Sequence, residues 1–280
     1  MNTLSSATRF RATPAFRNLG RSLGTGLLAL VIASLASAQT PSADDIVRNE
    51  LAAFYQAGKD FQAKVTMRLT NSQGSTRERV MTMLRTDIGT QGDQRYLISF
   101  EAPADVRGMG FLVWKHARQE ADRWLYFPAL KAVKRVAADD KRSSFVGSDF
   151  SYEDISGRDA GDEKHALLRQ EQVDDRPAYV IESRPHAVVT YARRLSWIDR
   201  ERWMPLKEEY FDAEGKLQRT FKAEKVEQVG GHWTVTARSM FNAASGHRTD
   251  VAFTQLRYDT GLADDVFTER SLRNPPNLAP

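Results

Sequence analysis

Phe61-Gln62-Ala63-Lys64-Val65-Thr66-Met67-Arg68-Leu69-Thr70 alternates apolar and polar side chains without a break. That is the period of a strand with one face on a core and the other in water. Asn71-Ser72-Gln73-Gly74 follows as a turn, and 76–86 reads as the returning strand of a hairpin. On the N-terminal side the period changes. Ile46, Val47, Leu51 and Phe54 form a helical stripe, Ser42 stands where an N-cap belongs, and Asp44 and Asp45 occupy the first turn. This spacing predicts a helix from Ala43 to about Gln56, ended by Gly58.

Further strands are expected on the C-terminal side at 95–101, 110–116, 123–127 and 131–136, and then the pattern stops over 137–164. It resumes at 167–173, 178–183, 189–199, 206–212, 217–229, 233–242 and 247–258, with Glu214-Gly215, Gly230-Gly231 and Ser245-Gly246 as hairpin connections. The reading is mainly β (α+β): one antiparallel meander of about eleven strands, large enough that it must curl or close. Phe111 to Trp114 and Trp124 to Phe127 are apolar on both faces, so these strands need cover on both sides. A strongly curved sheet with helices or loops plugging its concave face satisfies both demands.

Residues 1–22 carry Arg9, Arg11, Arg17 and Arg21 and no acid; an apolar run from Leu23 to Leu35 and Ala36-Ser37-Ala38 follow. These are the three parts of a cleavable signal peptide, with cleavage expected after Ala38 and delivery to the periplasm. An uncleaved anchor is the alternative. Loss of 1–38 removes four arginines, turning a formal net charge of +4 into balance. A formally neutral chain is a poor partner for nucleic acid. The domain expected is 39–273, with 274–280 as a loose tail around Asn274-Pro275-Pro276.

The chain has no cysteine, which excludes disulfides, thiolate metal sites and a thiol nucleophile. No nucleophile elbow, P-loop or zinc-protease motif is present. His116, His165, His186, His232 and His247 lie apart, so no metal and no cofactor are expected. Asp139-Asp140 and Glu153-Asp154 read as solvated loop carboxylates, with a hydrolytic pair as the rival reading.

Two stretches remain. Leu125 to Val136 combines aromatic residues with Lys131, Lys134 and Arg135, and Lys141 to Ile155 places Phe145, Phe150 and Tyr152 in a polar insertion. An insertion of this length in a compact domain is usually functional or disordered, and its aromatic residues argue for order. It reads either as a lid docking on an apolar groove or as a permanent plug.

The same residues carry a resemblance. Phe100, Pro103, Arg107, Gly108 and Leu112, then Trp124 to Leu130, then Asp140 to Ile155, resemble the outer-membrane lipoprotein-sorting proteins, a LolA-like family. Trp203-Met204-Pro205, Lys207 to Tyr210, Asp212, Gly215 to Leu217 and Asp265 to Thr268 agree with it; Val146 stands where a Met is expected. The resemblance implies an open half-barrel with lid segments over an apolar cavity that holds acyl chains. As partners it implies lipid or lipoprotein acyl chains, an inner-membrane RND-type exporter and an outer-membrane acceptor.

The expected cavity and lid residues are Met67, Met81, Met83, Phe100, Leu112, Trp114, Trp124, Tyr126, Phe145, Phe150 and Tyr152. Thioethers suit an adaptable lining, although they serve ordinary core packing as well. Arg68, Arg107 and Asp149 are expected as polar lid or head-group contacts, with solvated arginine as the alternative. The function expected is an envelope carrier of lipid or lipoprotein without a catalytic residue. The alternative is a periplasmic sensor or adaptor binding an envelope protein through the same groove.

Overall fold

The computed structural model describes residues 40–89, 92–117, 119–187 and 190–276; the expected signal segment and residues 277–280 lie outside this range. Helix α1 (Ala43–Tyr55) starts where Ser42 accepts the Asp45 N–H, as its spacing predicts. Its C-terminal carbonyls are held by a buried guanidinium. Arg85 donates to the carbonyls of Tyr55, Ala57 and Gly58 at 2.6, 2.8 and 2.6 Å. Gly58 turns the chain with φ +64°, and a Cβ there would stand 2.9 Å from the Tyr258 ring.

The first ribbon of strands is β1 (Asp60–Thr70), β2 (Thr76–Ile88), β3 (Asp93–Ala102), β4 (Gly110–His116), β5 (Gln119–Phe127) and β6 (Ala132–Arg135). The second is β7 (Glu163–Val173), β8 (Arg176–Pro185), β9 (Arg193–Asp199), β10 (Pro205–Phe211), β11 (Leu217–Val229), β12 (His232–Asn242) and β13 (His247–Tyr258). Both ribbons are plain antiparallel meanders. They join where β1 pairs with β13, giving one sheet in the order β6-β5-β4-β3-β2-β1-β13-β12-β11-β10-β9-β8-β7.

The sheet is not closed, and it has thirteen strands where about eleven were expected. Each of the thirteen strands falls on a stretch expected above as a strand, down to the four residues of β6, which pair fully with β5; only the total of about eleven was too low. Both edges carry exposed charge, Lys134 and Arg135 on β6 and Lys164 and Arg169 on β7. Such residues oppose edge-to-edge pairing.

Period-two alternation sorts the core onto two faces. On the concave face, Ala63, Val65, Met67, Met81, Met83, Tyr96, Ile98, Phe100, Phe111 and Val113 form one continuous cluster with Phe221, Met240 and Val251 from the other ribbon. On the convex face, Leu84, Leu97 and Leu112 are covered by Phe267 and Leu272. Leu272 belongs to the short helix α3 (Glu269–Arg273). Helix α1 presses Ile46 and Val47 onto Tyr179, Ile181 and Ile198 of the second ribbon.

This topology explains where the insertion must go. Residues 136–162 connect one edge strand of the sheet to the other, so they have to cross the open side of the half-barrel.

Candidate functional site

The crossing segment is built from short 3-10 turns and helix α2 (Tyr152–Ser156). A capping box starts α2: Ser151 accepts the Asp154 N–H at 3.1 Å, and Asp154 Oδ2 accepts the Ser151 N–H at 2.8 Å. Ahead of it, Val146 (φ 49°) and Gly147 (φ 76°) are both left-handed and turn the chain back, and the Phe145 N–H bonds the Phe150 carbonyl at 2.7 Å. A β-branched residue in that region is strained. The Arg79 guanidinium holds the turn by donating to the Val146 carbonyl.

The turn sends Phe145, Phe150, Tyr152 and Ile155 into the concave cluster, where all four are buried. Phe145 lies 5.4 Å from Phe111 and 6.0 Å from Phe100 between ring centroids, and Tyr152 lies 5.3 Å from Phe111. Met67, Met81 and Met83 line the same face. The fourteen residues singled out by sequence therefore divide. Seven of the apolar ones share the concave cluster: Met67, Met81, Met83, Phe100, Phe145, Phe150 and Tyr152.

Leu112, Trp114, Trp124 and Tyr126 are not among them. They point to the convex face beneath the C-terminal segment, with the Trp114 indole donating to the Phe267 carbonyl at 3.0 Å. On a strand apolar on both sides, composition does not tell which parity faces inward; pairing register does. Leu84, Leu97, Leu112 and Trp124 stand opposite one another across β2 to β5, which puts them together on the outer face.

The polar candidates divide too. Asp149 touches strand β13 through Thr249. Arg68 is exposed and 3.6 Å from Glu78, and Arg107 is exposed and bonds the Glu101 carbonyl at 3.0 Å; neither reaches the lid. The lid is gripped instead by Arg79 and by Arg219, which donates to the Asp149 carbonyl and to Asp154 Oδ2, each at 3.1 Å.

Glu153 and Asp154 correct a second expectation. They are buried, not solvated, and form one end of an ionic network running from the lid into the second ribbon. Glu153 faces Arg142 and Arg158 at 3.2 and 3.5 Å. Arg158 pairs with Asp154 and donates to the Tyr210 hydroxyl at 2.6 Å, which donates onward to Glu208 at 2.5 Å. Arg194 joins Glu208 to Glu163, and the Tyr191 hydroxyl donates to Glu163 at 2.7 Å.

Burial raises the cost of every charge here, and the guanidiniums outweigh it for most. Asp154 is held well below the usual carboxylate range by Arg158 and Arg219, and Glu163 is held down to about 2 by Arg194 and Arg158. Glu50 of α1 has no ion pair among the described residues, and the distant Arg194 and Arg158 do not outweigh its burial. Burial, reinforced by Glu208, pushes its carboxyl up to about 8, so it is a neutral acid near pH 7. Sequence reasoning missed this network because its members sit 163, 194, 208 and 219 along the chain and meet only through strand pairing. Of the carboxylates read above as a rival hydrolytic pair, Glu153 faces Arg142 and Arg158, and Asp154 pairs with Arg158 and Arg219.

The space left inside is small. A hollow of about 60 Å³ lies between α1 and the concave face, lined by Phe54, Phe61, Met83, Tyr96, Phe253 and Arg238 among others. An apolar cavity that admits benzene measures roughly 150 Å³. The lid's own side chains thus occupy most of the groove. Beside the lid tip runs a polar cleft of about 280 Å³ that includes Ser144, Asp149, Phe150 and Arg219.

The site is thus defined by an open antiparallel sheet and the edge-to-edge connection whose aromatic side chains pack on its concave face. A family model described as "-like: Uncharacterized protein" matches residues 92–274. A DUF1329 family protein from Desulfovibrio piger is 30% identical over 82% of this chain and 97% of its own, with a TM-score of 0.75. A domain from Vibrio parahaemolyticus, provisionally described as an outer membrane lipoprotein-sorting protein, is 30% identical over 82% of this chain and 98% of its own, with a TM-score of 0.76. A LolA superfamily protein from Nitrosomonas europaea shares the fold at a TM-score of 0.64, with 22% identity over 82% of this chain and 99% of its own. No curated protein matches the chain. The chain belongs to the family of DUF1329 and outer membrane lipoprotein-sorting proteins.

Proposed function

We propose that this protein is a cell-envelope carrier for lipid or lipoprotein acyl chains, held in the groove that the lid now fills, and that it works by exchange rather than by covalent chemistry. The carrying observation is the lid tip. Phe145 and Phe150 sit inside the concave face, while the 143–151 backbone is tied down mainly by Arg79, Thr249 and Arg219, contacts that water can replace. The base of the lid, at Glu153 to Arg158, is anchored by buried ion pairs. Such a segment has a hinge and a movable end.

The energetics of exchange are favourable. Two buried phenylalanines contribute roughly 3–6 kcal/mol, and an acyl chain burying about 12 methylenes contributes about 10 kcal/mol. A chain entering the groove can therefore displace the lid aromatics and leave a surplus for the displaced polar contacts. Delivery to the periplasm through residues 1–38 completes the reading, and the family relationship supports an envelope location.

The test is the cargo. Protein isolated from the envelope under native conditions should yield acyl chains by extraction and mass spectrometry at near one equivalent. A double variant Asp149→Cys/Thr249→Cys, oxidised to lock the tip, should lose that cargo and regain it on reduction. Cargo-free protein in repeated preparations, with no uptake of added lipid, would sink the reading. The filled interior favours the second reading, an adaptor, which calls for a stoichiometric protein partner retained by the locked form.

A further inference from the structure

Arg238 lies in the middle of β12, opposite Val251 and Ala223, so its side chain enters the concave face. It is 6% exposed. Among the described residues it has no hydrogen bond and no ion pair, and its Nε is buried without a partner. Three phenyl rings surround it instead: its Cζ stands 5.6 Å from the Phe54 centroid on α1, 5.3 Å from Phe150 on the lid and 5.2 Å from Phe253 on β13.

The other buried arginines of this interior also leave Nε without a hydrogen bond, but their terminal nitrogens are engaged. Arg158 and Arg194 are each paired with carboxylates, and Arg85 spends its donors on three carbonyls. Arg238 also lines the hollow between α1 and the sheet, whose walls contain two guanidiniums and no carboxylate. On its other side it borders the small gap shared with Glu50, Asp154 and Glu208, but none of these is within ion-pair distance of it.

A guanidinium remains charged under these conditions, and aromatic faces offset only part of what removing it from water costs. A charged group kept at a cost to stability, with donors unpartnered among the described residues and bordering a hollow, points to a ligand rather than to the fold. Its planar fork matches a carboxylate or phosphate oxyanion. The surrounding walls, Phe61, Met83, Leu256 and Phe253, match hydrocarbon.

We propose that Arg238 is the head-group receptor of the groove, binding the oxyanion of a single-chain anionic amphiphile when Phe150 lifts away. The inference rests on the carrier reading and adds the sign and position of the cargo's charge. In the closed form Phe150 covers the guanidinium, so the ring stands where the ligand's head would sit.

The experiment measures binding of oleate, oleyl alcohol and inorganic phosphate to delipidated protein at pH 8 by calorimetry. Wild type should bind oleate at least tenfold more tightly than oleyl alcohol, with phosphate alone binding far more weakly than oleate. Arg238→Met should reduce oleate affinity to the alcohol's level, leave alcohol binding intact and melt no lower than wild type. Arg238→Lys should retain part of the preference.

Equal binding of acid and alcohol by wild type, or an undiminished preference in Arg238→Met, overturns the proposal while the carrier reading stands. Tight binding of phosphate with no gain from the chain assigns the site to a free anion and also overturns it. If neither amphiphile binds, the carrier reading fails first. Should Arg238→Met not fold, the wild-type preference and its reduction in Arg238→Lys decide the matter.

Discussion

Thr249 and Asp149 hold each other by two hydrogen bonds: the Asp149 N–H donates to Thr249 Oγ1 at 3.0 Å, and that hydroxyl donates to Asp149 Oδ2 at 2.7 Å. Thr249 is fully buried in β13 at the junction of the two ribbons. This pair fastens the tip of the lid to the sheet. Thr249→Val keeps the shape and leaves an N–H and a carboxylate oxygen without a partner, a cost of about 1–3 kcal/mol. Hydrogen exchange should accelerate over 143–151 and stay unchanged in β8 and β9. Uniform acceleration would mean that the pair supports the whole fold and not the lid.

The ionic network should be less tolerant at Arg194 than at Tyr210. Arg194→Met takes the guanidinium from Glu163 and leaves Glu208 only Arg158 at 3.7 Å as a counter-charge, which costs about 3–5 kcal/mol. Tyr210→Phe removes one hydroxyl that accepts from Arg158 and donates to Glu208, about 1–3 kcal/mol. Urea midpoints of the two variants give the order directly, and a reversed order would contradict the pairing described.

Stability should fall on the alkaline side because of Glu50. Its folded carboxyl is raised to about 8 against 4.5 for an ordinary glutamate, mainly by burial. The folded state then holds a proton that the unfolded chain has lost, so this contribution is complete below pH 4.5 and disappears as pH rises towards 8. Glu163, lowered to about 2, acts oppositely: its contribution is present above 4.5 and is lost as pH falls towards 2. Glu50→Gln should therefore match wild type near pH 5 and melt higher at pH 8–9. A melting profile with the wild-type alkaline slope would show that Glu50 is not its source.

On the convex face, Gly110 marks the closest approach of α3. A Cβ there would lie 2.8 Å from Leu272 Cδ2 and 3.0 Å from the Leu272 carbonyl. Gly110→Ala should push α3 off the sheet, break the bond from Trp114 to the Phe267 carbonyl and red-shift tryptophan fluorescence. Leu272→Ala should give a similar shift and cost about 2–5 kcal/mol, as for a buried leucine left as a cavity. Unchanged emission in both would mean that the C-terminal segment does not cover Trp114.

Much of the architecture was legible locally. The cap at Ser42, the hairpin at 71–74 and the antiparallel meander follow from neighbours within a few residues, and the insertion at 137–164 announced itself by losing the period. The site was legible only in part. Phe145, Phe150 and Tyr152 stood out as aromatic residues in a polar stretch and are indeed inside. Arg79 and Arg219 did not stand out, because an arginine on a strand looks the same in sequence whether it meets solvent or a lid carbonyl.

By itself, then, the sequence determined that this chain makes a curled sheet with one leading helix and one aromatic crossing segment, because periodicity, caps and turn chemistry are short-range properties. The tertiary structure alone decided which parity of each strand faces inward, moving Leu112, Trp114, Trp124 and Tyr126 to the outer layer. It alone also brought Glu153, Arg158, Arg194 and Glu208 into one buried network and left Arg238 among three rings, with no ion pair among the described residues. Those outcomes depend on register between strands distant in the chain, and a one-residue slip would exchange the two faces.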